Sequence, residues 1–258
     1  MKLFPGLLFA ALLTSLGSGC IAASAQTADI LQEIDELKQG QHAIQKELEE
    51  IKALLEKIAA QPARPSPSGP VIKDVEFEIG DNPVKGSSSA KLILVEFTDY
   101  ECPFCGRYVR DTFPHILNQY IDRDLIQYTV IDLPLPMHPN AEKAAEASHC
   151  AGEQGKFWEI HELMMSKQES LGDLSSYAAS LNLDVQKFND CVSTGKYTGA
   201  VNRNIALAQK LGINAVPGFI IGRVDPSNSG KVTGLSKIQG AMPFASFQAE
   251  LNAALASQ

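Results

Sequence analysis

Two cysteines, Cys102 and Cys105, stand three apart in "DYECPFCGRY", residues 99 to 108, with Pro103 and Phe104 between them. Such a pair can clamp a metal, staple the chain or act as a reactive dithiol. A metal clamp needs a second pair of ligands at comparable spacing. Cys150 and Cys191 are isolated, and the five histidines form no H-x(3 to 5)-H pair, so the zinc pattern is missing. As a staple the motif would close a loop too small to constrain the unfolded chain much. The dithiol reading has positive support. An apolar, strand-like run ends at the motif and a helix begins there, so Cys102 falls at the helix N-cap and Pro103 at the first helical position, where its missing N–H costs nothing. The free N–H groups and the positive end of the helix dipole then favour a Cys102 thiolate. Cys105, one turn on, lies close enough to form the disulfide or to resolve a mixed one.

The elements that must position this pair can be read on either side of it. "KLILVEF" (91–97) is a buried strand, and 103–120 has helical character. "LIQYTVIDLPL" (125–135) is the next strand, and a helical stretch follows from about Asn140 to Leu211. "PGFIIGRV" (217–224) and "GKVTGL" (230–235) pair as a hairpin around "DPSNSG", and "PFASFQAELNAALAS" closes the chain as a helix. The order predicts an α/β body over 74–258 with a helical insertion at about 138–212.

Upstream, "DILQEIDELKQGQHAIQKELEEIKALLEKIAA" (29–60) carries Ile or Leu at eight of nine heptad positions, with a sites at Ile34, Gln41, Leu48 and Leu55. This pattern predicts a coiled coil over 26–60 that makes the chain a homo-oligomer; the alternative is a single amphipathic helix lying on the body. Leu at a with Ile at d leans toward three or four strands. "QPARPSPSGP" (61–70), with four prolines, begins a semi-rigid linker taken to run over 61–73. Residues 1–25 read as a signal peptide: Met1-Lys2, an apolar run, then Ala23-Ser24-Ala25 before Gln26. A periplasmic or secreted protein is expected, with lipidation at Cys20 as a competing reading. Export would leave four cysteines in an oxidising compartment, which suggests two pairs. A net charge of -8 without a Lys/Arg cluster argues against a nucleic-acid partner.

"LILVEFTDYECPFCGRY", "INAVPGFIIG" and the helical stretch between them resemble the DsbA family of thioredoxin-fold disulfide oxidoreductases, over roughly residues 75 to 256. The resemblance implies Cys102 as nucleophile and Cys105 as resolving cysteine. It also implies Val216-Pro217 as the cis-proline loop that lies against the dithiol, and Glu96 as a buried acid that relays protons. The implied partners are unfolded or cysteine-containing clients and a membrane redox partner, DsbB-like or DsbD-like. No cofactor is needed, because the dithiol carries the two electrons. Phe104 departs from the family: strong oxidants carry histidine there, and a neutral aromatic should make the disulfide a milder oxidant. Asp99 and Glu101 would push the same way if they face the sulfur, but read first as solvated loop charges. Cys150 and Cys191, on helical segments of the insertion, would close a loop of about 42 residues as a structural disulfide worth roughly 4 kcal/mol. His149 and His161 read as surface or packing residues, and Trp158 as a core aromatic. Disulfide formation in clients is the expected activity. An oligomeric isomerase or reductase, and a coiled-coil holdase chaperone with an incidental dithiol, are the alternatives.

Overall fold

The computed structural model describes residues 34–53 and 72–257. The segment read as a signal peptide, Cys20, the ends of the heptad stretch and nearly all of the Pro-rich linker lie outside them. The chain divides into two compact units, one ending at Pro67 and the other beginning at Ser68. In the first, residues 34–53 form helix α1, and Ile34, Leu37, Ile44, Leu48 and Ile51 stand exposed along it. In the second, Ile72 is 5% exposed and packs into the core, and the N–H of Asp74 donates to Gly234 O at 2.9 Å. Residue 72 thus belongs to the packed body, its apolar side chain filling part of the core.

The body is a six-stranded mixed sheet in the order β1-β6-β5-β3-β4-β2, flanked by helices. Its centre is β3 (Leu92–Thr98), every residue of which is buried. The run "LILVEFT" has no polar alternation because both faces are covered, as a strand beside a parallel neighbour requires. That neighbour is β4 (Ile126–Asp132), with Glu96 opposite Val130; on the other side runs antiparallel β5 (Gly218–Asp225), with Phe97 opposite Gly218. β6 (Asn228–Gln239) completes the hairpin with β5 and is longer than the sequence suggested. Two strands were not anticipated: β1 (Glu76–Glu78), paired with β6, and β2 (Val84–Lys85), paired with β4. β1 alternates Glu-Phe-Glu with only Phe77 buried, over three residues, and β2 has two residues and no pattern to read.

Helix α2 (Pro103–Asp111) leaves the C-terminal end of β3. The stretch 103–120, read as helical in character, is helical with a break at Thr112, and α3 (Phe113–Ile116) runs on into a π-helical turn at Leu117–Ile121. Pro114 explains the break: it has no N–H to give to the preceding turn. Between β4 and β5 lie α4 (Ala141–Gly152), α5 (Phe157–Ser166), α6 (Leu174–Ser180), α7 (Val185–Ser193) and α8 (Thr198–Lys210), which make up the helical insertion. α2 packs on α5, and α9 (Phe244–Ala256) covers β5, β6 and α3.

Candidate functional site

The sheet register brings the sequence-predicted residues together. β5 begins where β3 ends, so the loop before Gly218 must lie beside the turn that leads from β3 into α2. The Val216-Pro217 bond in that loop is cis, and the Cys102 Sγ is 3.7 Å from the Val216 carbonyl oxygen. Cys102 is the N-cap of α2 and Pro103 its first residue. The N–H of Cys102 donates to Asp99 O and its own carbonyl accepts from Gly106 N–H, both at 3.1 Å. Gln168 secures the turn from the insertion, donating through Nε2 to Tyr100 O at 2.8 Å and to Cys102 O at 2.9 Å. Gly106 makes that approach possible, since a Cβ there would sit 2.5 Å from Gln168 Oε1 and 3.0 Å from the Met165 carbonyl.

The two cysteines are unbonded and differ in environment. Cys102, 5% exposed, has a thiol lowered to about 6: the Cys105 thiol donates to it, burial opposes, and the N–H groups of Cys105 and Phe104 add their dipoles. Fully buried Cys105 is pushed well above the usual thiol range, by burial first and then by its donation to Cys102. The two environments thus favour the thiolate at Cys102 and the protonated thiol at Cys105. Phe104 is 55% exposed, with the Arg107 guanidinium 5.0 Å from its ring centroid.

Glu96 lies on β3, is fully buried and interacts electrostatically with both cysteines. Burial pushes it up to about 7 against the Tyr128 hydroxyl, which donates to Oε2, and the charge on Cys102 adds to the rise. Its Oε1 has no hydrogen-bond partner among the described residues, which a neutral acid tolerates better than a carboxylate. Tyr128 faces Glu96 from β4; the sequence marked the strand but gave this tyrosine no role.

Asp99 departs from expectation. It is 1% exposed, not solvated. Its Oδ1 accepts from Glu101 N–H at 2.8 Å, and its Oδ2 meets Leu135 N–H at 2.7 Å and His138 Nδ1 at 2.8 Å. Glu101 reaches the same loop, accepting from the N–H and Nδ2 of Asn140 at 2.5 and 2.8 Å. Burial pulls His138 down, but the hydrogen bond and charge of Asp99, with Cys102 and Glu101 behind, outweigh it and raise it above the ordinary histidine value. Neither role was visible in the sequence, because the contacts join segments nearly forty residues apart.

Farther off, Cys150 and Cys191 are joined by a disulfide between α4 and α7. His149 is buried and meets Asp132 Oδ2 at 2.8 Å, and Asn204 donates to the same oxygen at 2.9 Å. His161, held to about 4 by burial, meets the Tyr100 hydroxyl at 3.1 Å. Trp158 is half-buried against Tyr128 and Phe157. Among the described residues no group of three or more His, Cys, Asp or Glu side chains could hold a metal ion, and no helix is long and apolar enough to cross a membrane.

A family model described as thioredoxin matches residues 78–238. A single-site variant of α-DsbA1 from Wolbachia pipientis superposes with a TM-score of 0.61 at 25% identity, covering 70% of this chain and 94% of that one. Oxidised BdbD from Bacillus subtilis gives 0.61 at 22% identity, covering 71% and 98%. The Na(+)/H(+) antiporter NhaA 3 of Salinispora tropica is 33% identical over 141 residues, 54% of this chain but 21% of that protein. The chain spans about a fifth of the length of the curated relatives it matches.

Proposed function

This chain belongs to the thioredoxin family and carries the DsbA-like form of its fold, and on that premise we propose that it is a thiol:disulfide oxidoreductase acting through Cys102 and Cys105. The observation that carries the reading is the pairing of a thiol lowered to about 6 at a helix N-cap, against the cis-proline loop, with a buried partner thiol that keeps its proton.

In the oxidising direction a client thiolate attacks Cys102 of the Cys102–Cys105 disulfide. The S–S bond breaks, Cys105 leaves with the electron pair and takes up a proton, and a mixed disulfide joins Cys102 to the client. A second client thiolate then attacks the client sulfur of that bond. The client disulfide forms and Cys102 leaves as the stabilised thiolate, so the client has lost two electrons and the enzyme has gained them. Glu96, raised to about 7 beside both cysteines, supplies the proton to Cys105 and takes it back on reoxidation. Pro217 and Val216 present backbone next to the reacting sulfur. In this reading the protein is exported, its clients are unfolded or cysteine-containing chains, and a membrane redox partner resets the dithiol.

The exposed apolar side chains of α1 favour a second reading of the direction. If residues 29–60 self-associate, several dithiols surround one client, which suits isomerisation, and the uncharged Phe104 suits a milder oxidant. Oxidation of reduced ribonuclease and rescue of scrambled ribonuclease separate the two, using the full mature chain and a chain beginning at Val71. Oxidation by both chains without rescue supports the oxidase, and rescue that disappears without the arm supports the isomerase. If Cys102→Ser leaves both activities intact, the dithiol is not the site.

A further inference from the structure

The motif's intervening residues, Pro103 and Phe104, carry no charge, so ionic tuning of Cys102 has to come from outside it. Among the acidic groups around it, which include Glu96 and Glu101, Asp99 is the one whose charge opposes the Cys102 thiolate from a fixed position. Three hydrogen bonds hold the buried Asp99 carboxylate, and its backbone carbonyl accepts the Cys102 N–H. Rotation cannot carry this anion away, and its charge reaches Cys102 and disfavours the thiolate. The cation able to cancel it is His138, from the loop between β4 and α4. Its ring nitrogen lies 2.8 Å from Asp99 Oδ2 with the side chain 20% exposed, so it can exchange protons with solvent while the loop stays closed. The loop is fixed by Leu133 N–H to Thr98 O at 2.7 Å and by the two Asn140 contacts to Glu101. Asp99, Glu101 and Cys102 face the imidazole, and residues 133–140 bring no other charged side chain.

We propose that His138 is a positioning residue for exchange at Cys102, its protonation cancelling the Asp99 charge and its deprotonation exposing the sulfur to that charge. This rests on the exchange reading of the dithiol. The His138 contribution to oxidising strength is then lost as pH rises through its titration, which offsets part of the gain against glutathione that ionisation of Cys102 itself brings.

Coupling between two titrating groups is reciprocal, so the first test leaves His138 in place. The ring proton of His138 is titrated by NMR in the reduced full chain and in Cys102→Ser. Loss of the thiolate should lower the His138 midpoint by roughly half a unit to one unit; an unchanged midpoint overturns the proposal. The second test measures the equilibrium with glutathione for His138→Gln and His138→Lys. At pH 6, Gln should weaken the reduced form about threefold to tenfold. Lys should match wild type at pH 6 and favour the reduced form over wild type at pH 8, where His138 has lost its charge. Equal shifts in both variants would mark His138 as merely structural and sink the idea. If either variant fails to fold, the NMR titration decides. The midpoint does not depend on turnover, so failure of the exchange reading would show in the ribonuclease assay alone.

Discussion

Glu96→Gln should stabilise the folded protein at high pH and do little at low pH. Below about pH 4.5 the carboxyl is protonated in both folded and unfolded chains, so burial adds no ionic penalty. Between there and pH 7 the unfolded chain releases its proton while the folded one keeps it, because the folded value is raised to about 7 from 4.5. Stability is therefore lost as pH rises through this window, and the loss is complete above it. A rise of that size corresponds to about 3 kcal/mol at about 1.36 kcal/mol per unit. Glutamine has the same shape, can accept from the Tyr128 hydroxyl and has no charge to desolvate. Thermal or urea melts of wild type and Glu96→Gln should be made on the oxidised protein, where the cysteines do not titrate. Cys102 is the least of the causes acting on Glu96, so most of the effect should survive oxidation. The variant's advantage should grow by about 3 kcal/mol from pH 4 to pH 8.5, a gain of roughly 6–12 °C in melting temperature. A difference that stays flat with pH would refute the view that Glu96 titrates as a buried acid.

Three further outcomes follow from the site and its supports. Iodoacetamide should modify Cys102 alone, with a rate that rises through a midpoint of about 6, while Cys105 stays unmodified to much higher pH; mass spectrometry of the labelled peptides checks both. Gly106→Ala would drive a methyl group into Gln168 and the Met165 carbonyl, costing about 1–3 kcal/mol in urea melts and loosening the Cys102 turn. Replacing Cys150 and Cys191 by Ala should lower stability by about 4 kcal/mol, given a separation of 41 residues, yet leave exchange at Cys102 in place; calorimetry and the ribonuclease assay report the two effects.

Sequence reasoning reached the parts of the site that depend on local chemistry. The Cys-Pro start of α2, the buried run of β3 and the helical insertion follow from short-range preferences, and a family resemblance added Pro217 and Glu96. It did not reach Asp99–His138, Gln168 at the Cys102 carbonyl, or Tyr128 against Glu96. Each of these is a polar contact between elements far apart in sequence, and such contacts leave no periodic trace. Asp99 was misjudged for the same reason: a carboxylate in a turn is normally solvated, and only the returning loop with Leu135 and His138 buries it. The break at Thr112 was within reach, since Pro114 marks it, whereas β1 and β2 owe their extended form to neighbours supplied from residues 128–129 and 231–233.

Those two short strands have a consequence for crowding. Residues 76–85 supply the edge strand at each margin of the sheet, β1 of three residues and β2 of two, so each edge offers another copy only a short stretch of backbone to pair with. If the arm gathers several bodies together, they can stand at very high mutual concentration without zipping into a common sheet. A truncation that removed the whole decapeptide would leave the longer strands β6 and β4 as the edges, with more backbone open to pairing between copies.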